Sequence, residues 1–372
     1  MKLLVQPGDG IAPLLAGIRS ARRSIEIVIF RLDLREIEVA LKAAVARGVK
    51  VQALVAYTSR NGERSLRKLE QRLLDCGATV TRTADDLVRY HDKFMIIDRR
   101  VLYLFAFNYT AIDIRHSRSF GIITRNRQLV QEAVKLFEAD VTRQTYTPAL
   151  SNFLVSPLNA RRELAAFIRG ARKKLLIYDT QISDREMIKL LQSRAKAGVE
   201  IRVIGNLSKP VEGVTVQKLR GLRLHTRTII RDGHQAFIGS QSLRRAELDK
   251  RRELGLIVRE PKVVRRLLDT FEADWEGKEI AAAQPAGIAS AARAAQKAIK
   301  AVASDLPSLA PEVSEAVISA FTGTIDEIDE IPESEQVAET VKEAVIVAVK
   351  ETVRDVVAEA VKEAVQGVKD AA

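Results

Sequence analysis

Two stretches of the chain share one rhythm of apolar and polar positions. From Ser24, SIEIVIF is nearly continuous apolar sequence. REIEVALKAAVARG follows with apolar residues returning every three or four positions, and then VKVQALVA. From Lys174 the same signals recur as KLLIYDT, REMIKLLQSRAKAG and VEIRVIG. An apolar run, a segment of period 3.6 and a second apolar run predict strand, helix, strand, a parallel βαβ unit. Gly48 and Gly198 fall where a helix C-cap belongs. Ile18–Leu54 aligns with Ile168–Ile204 at a constant offset of 150, and Gly121–Val141 with Gly255–Trp275 at an offset of 134. The first copy therefore holds 16 extra residues, placed within SRNGERSLRKLEQRLLDCGATV, which reads as an added helix. Each copy then continues through a strand pair and a further strand into a closing helix that ends in FEAD. The expected fold is α/β: two duplicated halves, each a mixed sheet flanked by helices, related by a pseudo-twofold axis that brings equivalent positions together. The expected boundaries are 1–147 for the first repeat, 148–277 for the second and 278–372 for a helical tail.

Charge divides the chain in the same place. Residues 278–372 carry 9 Lys+Arg against 17 Asp+Glu, whereas the first 277 carry 51 against 31. A basic body suits polyanions: nucleic acid, an anionic membrane surface or a phosphate-bearing substrate. Cys76 is the single cysteine, which excludes an intrachain disulfide framework and fits a reducing, cytoplasmic setting. Neither a signal segment nor an apolar run of membrane-spanning length is predicted. In the tail, an Ala-rich stretch is broken by Pro307 and Pro311, and the acidic TIDEIDEIPESEQ follows. Val341, Val345, Val349, Val353, Val357, Val361 and Val365 then mark one helical face. A coiled coil, a docked helix or a helix lying on a membrane would each use such a stripe. Self-association or association with a partner is the favoured use.

The candidate chemistry begins in RYHDKFMIID, Arg89 to Asp98. Residues two apart on a strand share a face, so His91 and Lys93 project together. An unpaired cation is costly on a buried face, so either this end of the strand is exposed or something anionic sits there. The segment has a twin at the offset of 134: His91 falls on His225, Lys93 on Arg227, Asp98 on Asp232 and Asn108 on Ser242. Two imidazoles suit displacement at phosphorus, one attacking to form a phosphohistidine and the other giving its proton to the leaving oxygen. Lys93 and Arg227 would neutralise the non-bridging oxygens, with Asn108, Ser240 and Ser242 adding neutral hydrogen bonds. That scheme requires no cofactor and no metal. Asp98 and Asp232 fall at hairpin turns, where turn chemistry and support of the site are both open readings. His116 and His234 lie off the motif and are expected at the surface.

The paired segments, with Gly239 and Ser240 after the second, are similar to the repeated His-x-Lys-x-x-x-x-Asp signature of the phospholipase D superfamily, and the resemblance runs over residues 1–277. Phe105 and Ala106 stand where the first copy would carry Gly-Ser; Arg227 and Ser242 replace the second lysine and asparagine. The resemblance implies His91 as nucleophile, His225 as general acid, Asp98 and Asp232 in support, and Glu253 as the acid orienting the opposite histidine. Ser119 occupies the position equivalent to Glu253, so the other histidine is expected to lack a carboxylate. Phospholipid hydrolysis or phosphatidyl transfer, resembling the bacterial cardiolipin synthase branch, is the favoured activity, with peripheral contact to an anionic membrane. A metal-independent nuclease is the alternative, although 5% aromatic residues offer few stacking platforms for bases. A catalytically weak phosphate-binding module is the third reading.

Overall fold

A computed structural model of the chain describes residues 1–57 and 63–277. The expected helical tail, with its valine stripe, lies outside the described residues. In the first half the order is β1 (Lys2–Gln6), α1 (Ala12–Ser20), β2 (Ser24–Ile29), α2 (Arg35–Ala46), β3 (Lys50–Val55), α3 (Glu63–Asp75), β4 (Thr79–Arg82), β5 (Arg89–Tyr90), β6 (Phe94–Ile97), β7 (Val101–Phe105), α4 (Ala111–Arg115), β8 (Ser117–Thr124) and α5 (Arg127–Thr142). The second half runs β9 (Phe153–Ser156), α6 (Ala160–Arg169), β10 (Lys174–Ile182), α7 (Arg185–Lys196), β11 (Glu200–Leu207), β12 (Val214–Gln217), β13 (Arg223–Leu224), β14 (Arg227–Arg231), β15 (Gln235–Gly239), α8 (Arg245–Asp249), β16 (Arg251–Val258) and α9 (Pro261–Glu276). Helix α3 has no counterpart between β11 and β12, so it accounts for the insertion read from the offsets. Gly48 and Gly198 adopt φ of 83° and 82° just past α2 and α7, the left-handed conformation that ends a helix.

Each half builds a mixed sheet. The first runs β1-β8-β7-β6-β2-β3-β4 and the second β12-β11-β10-β14-β15-β16. The parallel pairs are β2 with β3 and β10 with β11, as the βαβ pattern predicts. Strand β2 is buried along almost its whole length, because helices cover one face and the other half covers the other. Its single charge, Glu26, is 1% exposed and is held by Arg99 Nε at 3.0 Å. Helices α1, α2 and α3 pack on the outer face of the first sheet, and α6 and α7 on that of the second. The inner faces share one core with α5 and α9, to which Phe94, Leu104 and Phe120 contribute from one half and Tyr178, Ile230 and Leu254 from the other. Fully burying a side chain such as Phe94 contributes about 1.5–3 kcal/mol.

The halves also exchange strands. Strand β5 pairs with β16 of the second half, and β13 pairs with β8 of the first, both in parallel. These two-residue strands lead directly into His91 and His225.

The repeated aspartates of the two motifs serve the backbone. Asp98 and Arg99 form a hairpin turn with φ of 52° each, and Asp232 and Gly233 form its twin with φ of 53° and 75°. Asp98 accepts the backbone N–H groups of Arg22, Arg23 and Ser24; Asp232 accepts those of Arg172, Lys173 and Lys174. Burial works against ionisation of both, but the three N–H donors prevail and hold each carboxyl below its ordinary range. Both sit at the far end of their strands from the histidines, so of the two open readings the structure supports turn chemistry.

Candidate active site

The exchanged strands place each histidine on the other half. The His91 N–H donates to Arg252 O at 2.8 Å and the His225 N–H to Arg118 O at 3.1 Å. The two rings then meet carboxylates that also come from the opposite half. His91 Nδ1 lies 3.0 and 3.1 Å from the two oxygens of Glu253, a fully buried residue on β16. His225 Nδ1 lies 3.0 Å from Asp113 Oδ1, close but poorly aligned for a hydrogen bond. In both rings this leaves Nε2 as the nitrogen free for chemistry.

Asp113 corrects the sequence expectation that His225 lacks an acid. Ser119, the counterpart of Glu253, instead donates its hydroxyl to His225 O at 2.9 Å. The carboxylate comes from α4, six residues earlier, with Thr110 capping that short helix. Asn108 donates its backbone and side-chain N–H groups to Asp113 Oδ2, both at 2.8 Å, and Arg223 reaches Oδ1 at 2.7 Å. A signal for Asp113 was available: Glu247 stands at the same offset of 134. Glu247 accepts the Ser242 N–H at 2.6 Å, as Asp113 accepts that of Asn108.

The cations are buried with the histidines. Lys93 is 1% exposed and donates to His91 O. Arg227 donates Nε to Ser242 Oγ at 3.0 Å and lies 3.9 Å from Glu247, while its Nη1 is buried without a partner. The charge of Arg227 acts on Lys93 and on both histidines. Ser242 therefore steadies Arg227, and Asn108 steadies Asp113. Ser240 exchanges hydrogen bonds with the Leu254 backbone, next to Glu253. The structure commits these three polar residues to support, not to an open phosphate cradle.

The same crowding sets the protonation states. Burial lowers the His91 pKa well below its ordinary value, and Lys93, Arg89, Arg227 and Arg251 push it further. Burial lowers that of His225 to about 4, against the opposing pull of Asp113. Lys93 is lowered to about 7, chiefly by burial; Glu253 opposes the shift and Arg227 adds to it. Burial raises Glu253, with Lys93 and Arg251 opposing. Asp113 is held well below the carboxylate range: burial would raise it, but His225, Arg223 and the Asn108 N–H outweigh that. An anion entering this cluster would restore protons to the histidines and the lysine.

Phe105 and Ala106 take the Gly-Ser place for a packing reason. The Phe105 ring joins Tyr103, Phe107 and Tyr109 against Gly121 of the adjacent strand. In the second half Gly239 faces Gly255 instead, and a Cβ on Gly239 would come within 2.7 Å of Gly255 Cα. His116 and His234 are exposed, as expected.

Residues 14–141 and 164–275 match the family described as cardiolipin synthase, PLD-like domain. The chain belongs to this phospholipase D-like family. It is 25% identical over 258 residues to a polyphosphate kinase of Mycolicibacterium gilvum, covering 63% of this chain and 35% of that protein. The chain thus spans about a third of the length of that relative. Among solved structures, polyphosphate kinase from Porphyromonas gingivalis superposes with a TM-score of 0.61 at 23% identity, over 74% of this chain and 50% of that one. Phosphatidylserine synthase from Haemophilus influenzae gives a TM-score of 0.53 at 10% identity, over 74% and 85%. These superpositions show the phospholipase D-like fold. No helix among the described residues is long and apolar enough to cross a membrane.

Proposed function

We propose that this chain transfers a phosphate-centred group through a covalent histidine intermediate, with a phosphodiester as donor. The observation that carries the reading is the pair of histidines, each with a carboxylate oxygen 3.0 Å from Nδ1, beside two buried cations. His91 Nε2 attacks phosphorus, the bond from phosphorus to the leaving oxygen breaks, and that oxygen takes the proton of His225 Nε2. In the second step water or an alcohol gives a proton to His225 and attacks phosphorus. The P–N bond then breaks and His91 recovers its electron pair. Lys93 and Arg227 hold the non-bridging oxygens in both steps.

Electrostatics support this division of roles. His91, surrounded by cations, is kept neutral as a nucleophile must be. Burial lowers His225 too, but the anionic Asp113 opposes that shift and works toward the protonated form required of an acid. The donor we favour is a phospholipid, approached from the surface of an anionic bilayer by the basic body. The cardiolipin synthase description of the matching family supports that choice. The sequence likeness to polyphosphate kinases supports a second donor, a phosphoanhydride.

A panel of phosphatidylglycerol vesicles, polyphosphate with ADP, single-stranded DNA and bis(4-nitrophenyl) phosphate separates these readings. Turnover with an acid-labile, base-stable phosphoprotein that disappears in His91→Ala is expected. DNA cleavage alone would select the nuclease. Binding of every anion without turnover or labelling would overturn the catalytic reading.

A further inference from the structure

The FEAD ends of α5 and α9 take no part in the chemistry above, yet their aspartates are buried inside the protein. We propose that Asp140 and Asp274 are positioning residues that fix, through Arg252 and Arg118, where each reacting histidine stands. The proposal rests on the two-histidine reading of the site.

Arg118 donates Nε and Nη2 to Asp274 at 2.7 and 2.8 Å, and Nη1 to Gln6 O at 2.7 Å. The Tyr178 hydroxyl donates to the same aspartate at 2.6 Å. The carbonyl of Arg118 is the acceptor for the His225 N–H. The arrangement recurs around the other histidine. Arg252 donates Nη2 to Asp140 at 2.9 Å and Nη1 to Ser156 O at 3.4 Å, and its guanidinium lies 5.4 Å from the centroid of the Tyr90 ring. Its carbonyl accepts the His91 N–H. The four charged residues are 3–7% exposed. Arg118 and Asp140 belong to the first half, Asp274 and Arg252 to the second, so each pair crosses between the halves.

The consequence is mechanical. A planar guanidinium anchored by a buried aspartate on one side and a backbone carbonyl on the other resists displacement of the strand that carries it. Arg252 precedes Glu253, so one latch fixes both the His91 N–H and the carboxylate on the His91 ring. Arg118 precedes Ser119, so the other fixes both the N–H and the carbonyl of His225. One latch governs the nucleophile and the other the acid, which makes their defects separable.

The test uses Asp140→Asn and Asp274→Asn, with Arg252→Lys and Arg118→Lys as second variants should either fail to fold. Stopped-flow release of nitrophenolate from bis(4-nitrophenyl) phosphate, which needs little acid assistance, is compared with cleavage of an alkyl phosphodiester. Asp140→Asn is expected to slow both by about 10–100-fold, the cost of a misplaced nucleophile. Asp274→Asn is expected to slow the alkyl diester by about 10–100-fold and the nitrophenolate burst far less. Equal losses on both substrates from both variants, in step with the folded fraction measured by circular dichroism, would overturn the proposal. Amide hydrogen exchange supplies a readout independent of turnover. Asp274→Asn should accelerate exchange at His225 and not at His91, and Asp140→Asn the reverse. Unchanged exchange overturns the latches; selective exchange in a protein that cleaves no diester keeps them and overturns the two-histidine chemistry.

Discussion

The two halves carry the same backbone and different chemistry. Around His91 stand Lys93, the bidentate Glu253 and a ring of arginines; around His225 stand Arg227 and Asp113. The acids come from non-equivalent positions, 253 on a strand and 113 on a short helix, although equivalent positions exist for both. Beneath His91 lies Asp92, 1% exposed with neither oxygen hydrogen-bonded, where the second half has Thr226 bonded to Thr228. A duplicated scaffold thus supplies symmetric placement of two rings, and side-chain substitution separates their roles.

The comparison breaks most sharply at the rings. His91→Ala should lower turnover by about 10⁴-fold or more and abolish covalent labelling, the loss typical of a missing nucleophile. His225→Ala should lower turnover by about 10²–10⁴-fold and still label with a nitrophenyl diester. Labelling that survives in His91→Ala and is lost in His225→Ala would reverse the assignment.

Removing one carboxylate charge sharpens it. Asp113→Asn takes away the anion that raises the pKa of His225, so the protonated acid survives only to lower pH. A fall of about 10–100-fold at neutral pH is expected, with the falling limb of the pH–rate profile displaced to lower pH. An unmoved limb would separate His225 from that limb.

The cations differ in what they do near neutrality. Burial lowers the pKa of Lys93 to about 7. Sulfate affinity, measured by calorimetry, should therefore fall as pH rises above that value, by at most about tenfold per unit for one linked proton. Lys93→Arg should flatten that slope. Flatness in the wild type would place the lysine outside the anion's reach.

The last effect is on folding, not on chemistry. Burial, with Asp140 nearby, raises the pKa of Asp92 far above an ordinary carboxyl. The native chain therefore keeps a proton that the unfolded chain releases. Stability from this group is complete below the unfolded pKa, about 4, and is lost as pH rises through the folded one. Asp92→Asn should gain stability over wild type as pH rises from 5 to 8, read by urea unfolding. A constant difference across that range would contradict the assignment.

Sequence made the repeat, the α/β class and the inserted α3 legible because those are carried by spacing and periodicity. It paired His91 with His225 and Lys93 with Arg227 for the same reason. Asp113 escaped because its role depends on the ring it reaches across the boundary, and repeat logic pointed to Ser119. The aspartates of the motif stood between two readings until the three N–H donors on each showed what they bind. FEAD was visible as a repeated word, but its partners Arg118 and Arg252 lie on the opposite half and no local pattern joins them.

The traded strands β5 and β13 bear on how the protein could be divided. Each half, produced alone, would lose the neighbour that accepts its histidine's N–H and the carboxylate that faces its ring. A single cut in the connection between α5 and β9, with both pieces present, would leave every one of those exchanges available. Complementation of separately expressed fragments is thus the natural assay for an obligate partnership written into one polypeptide.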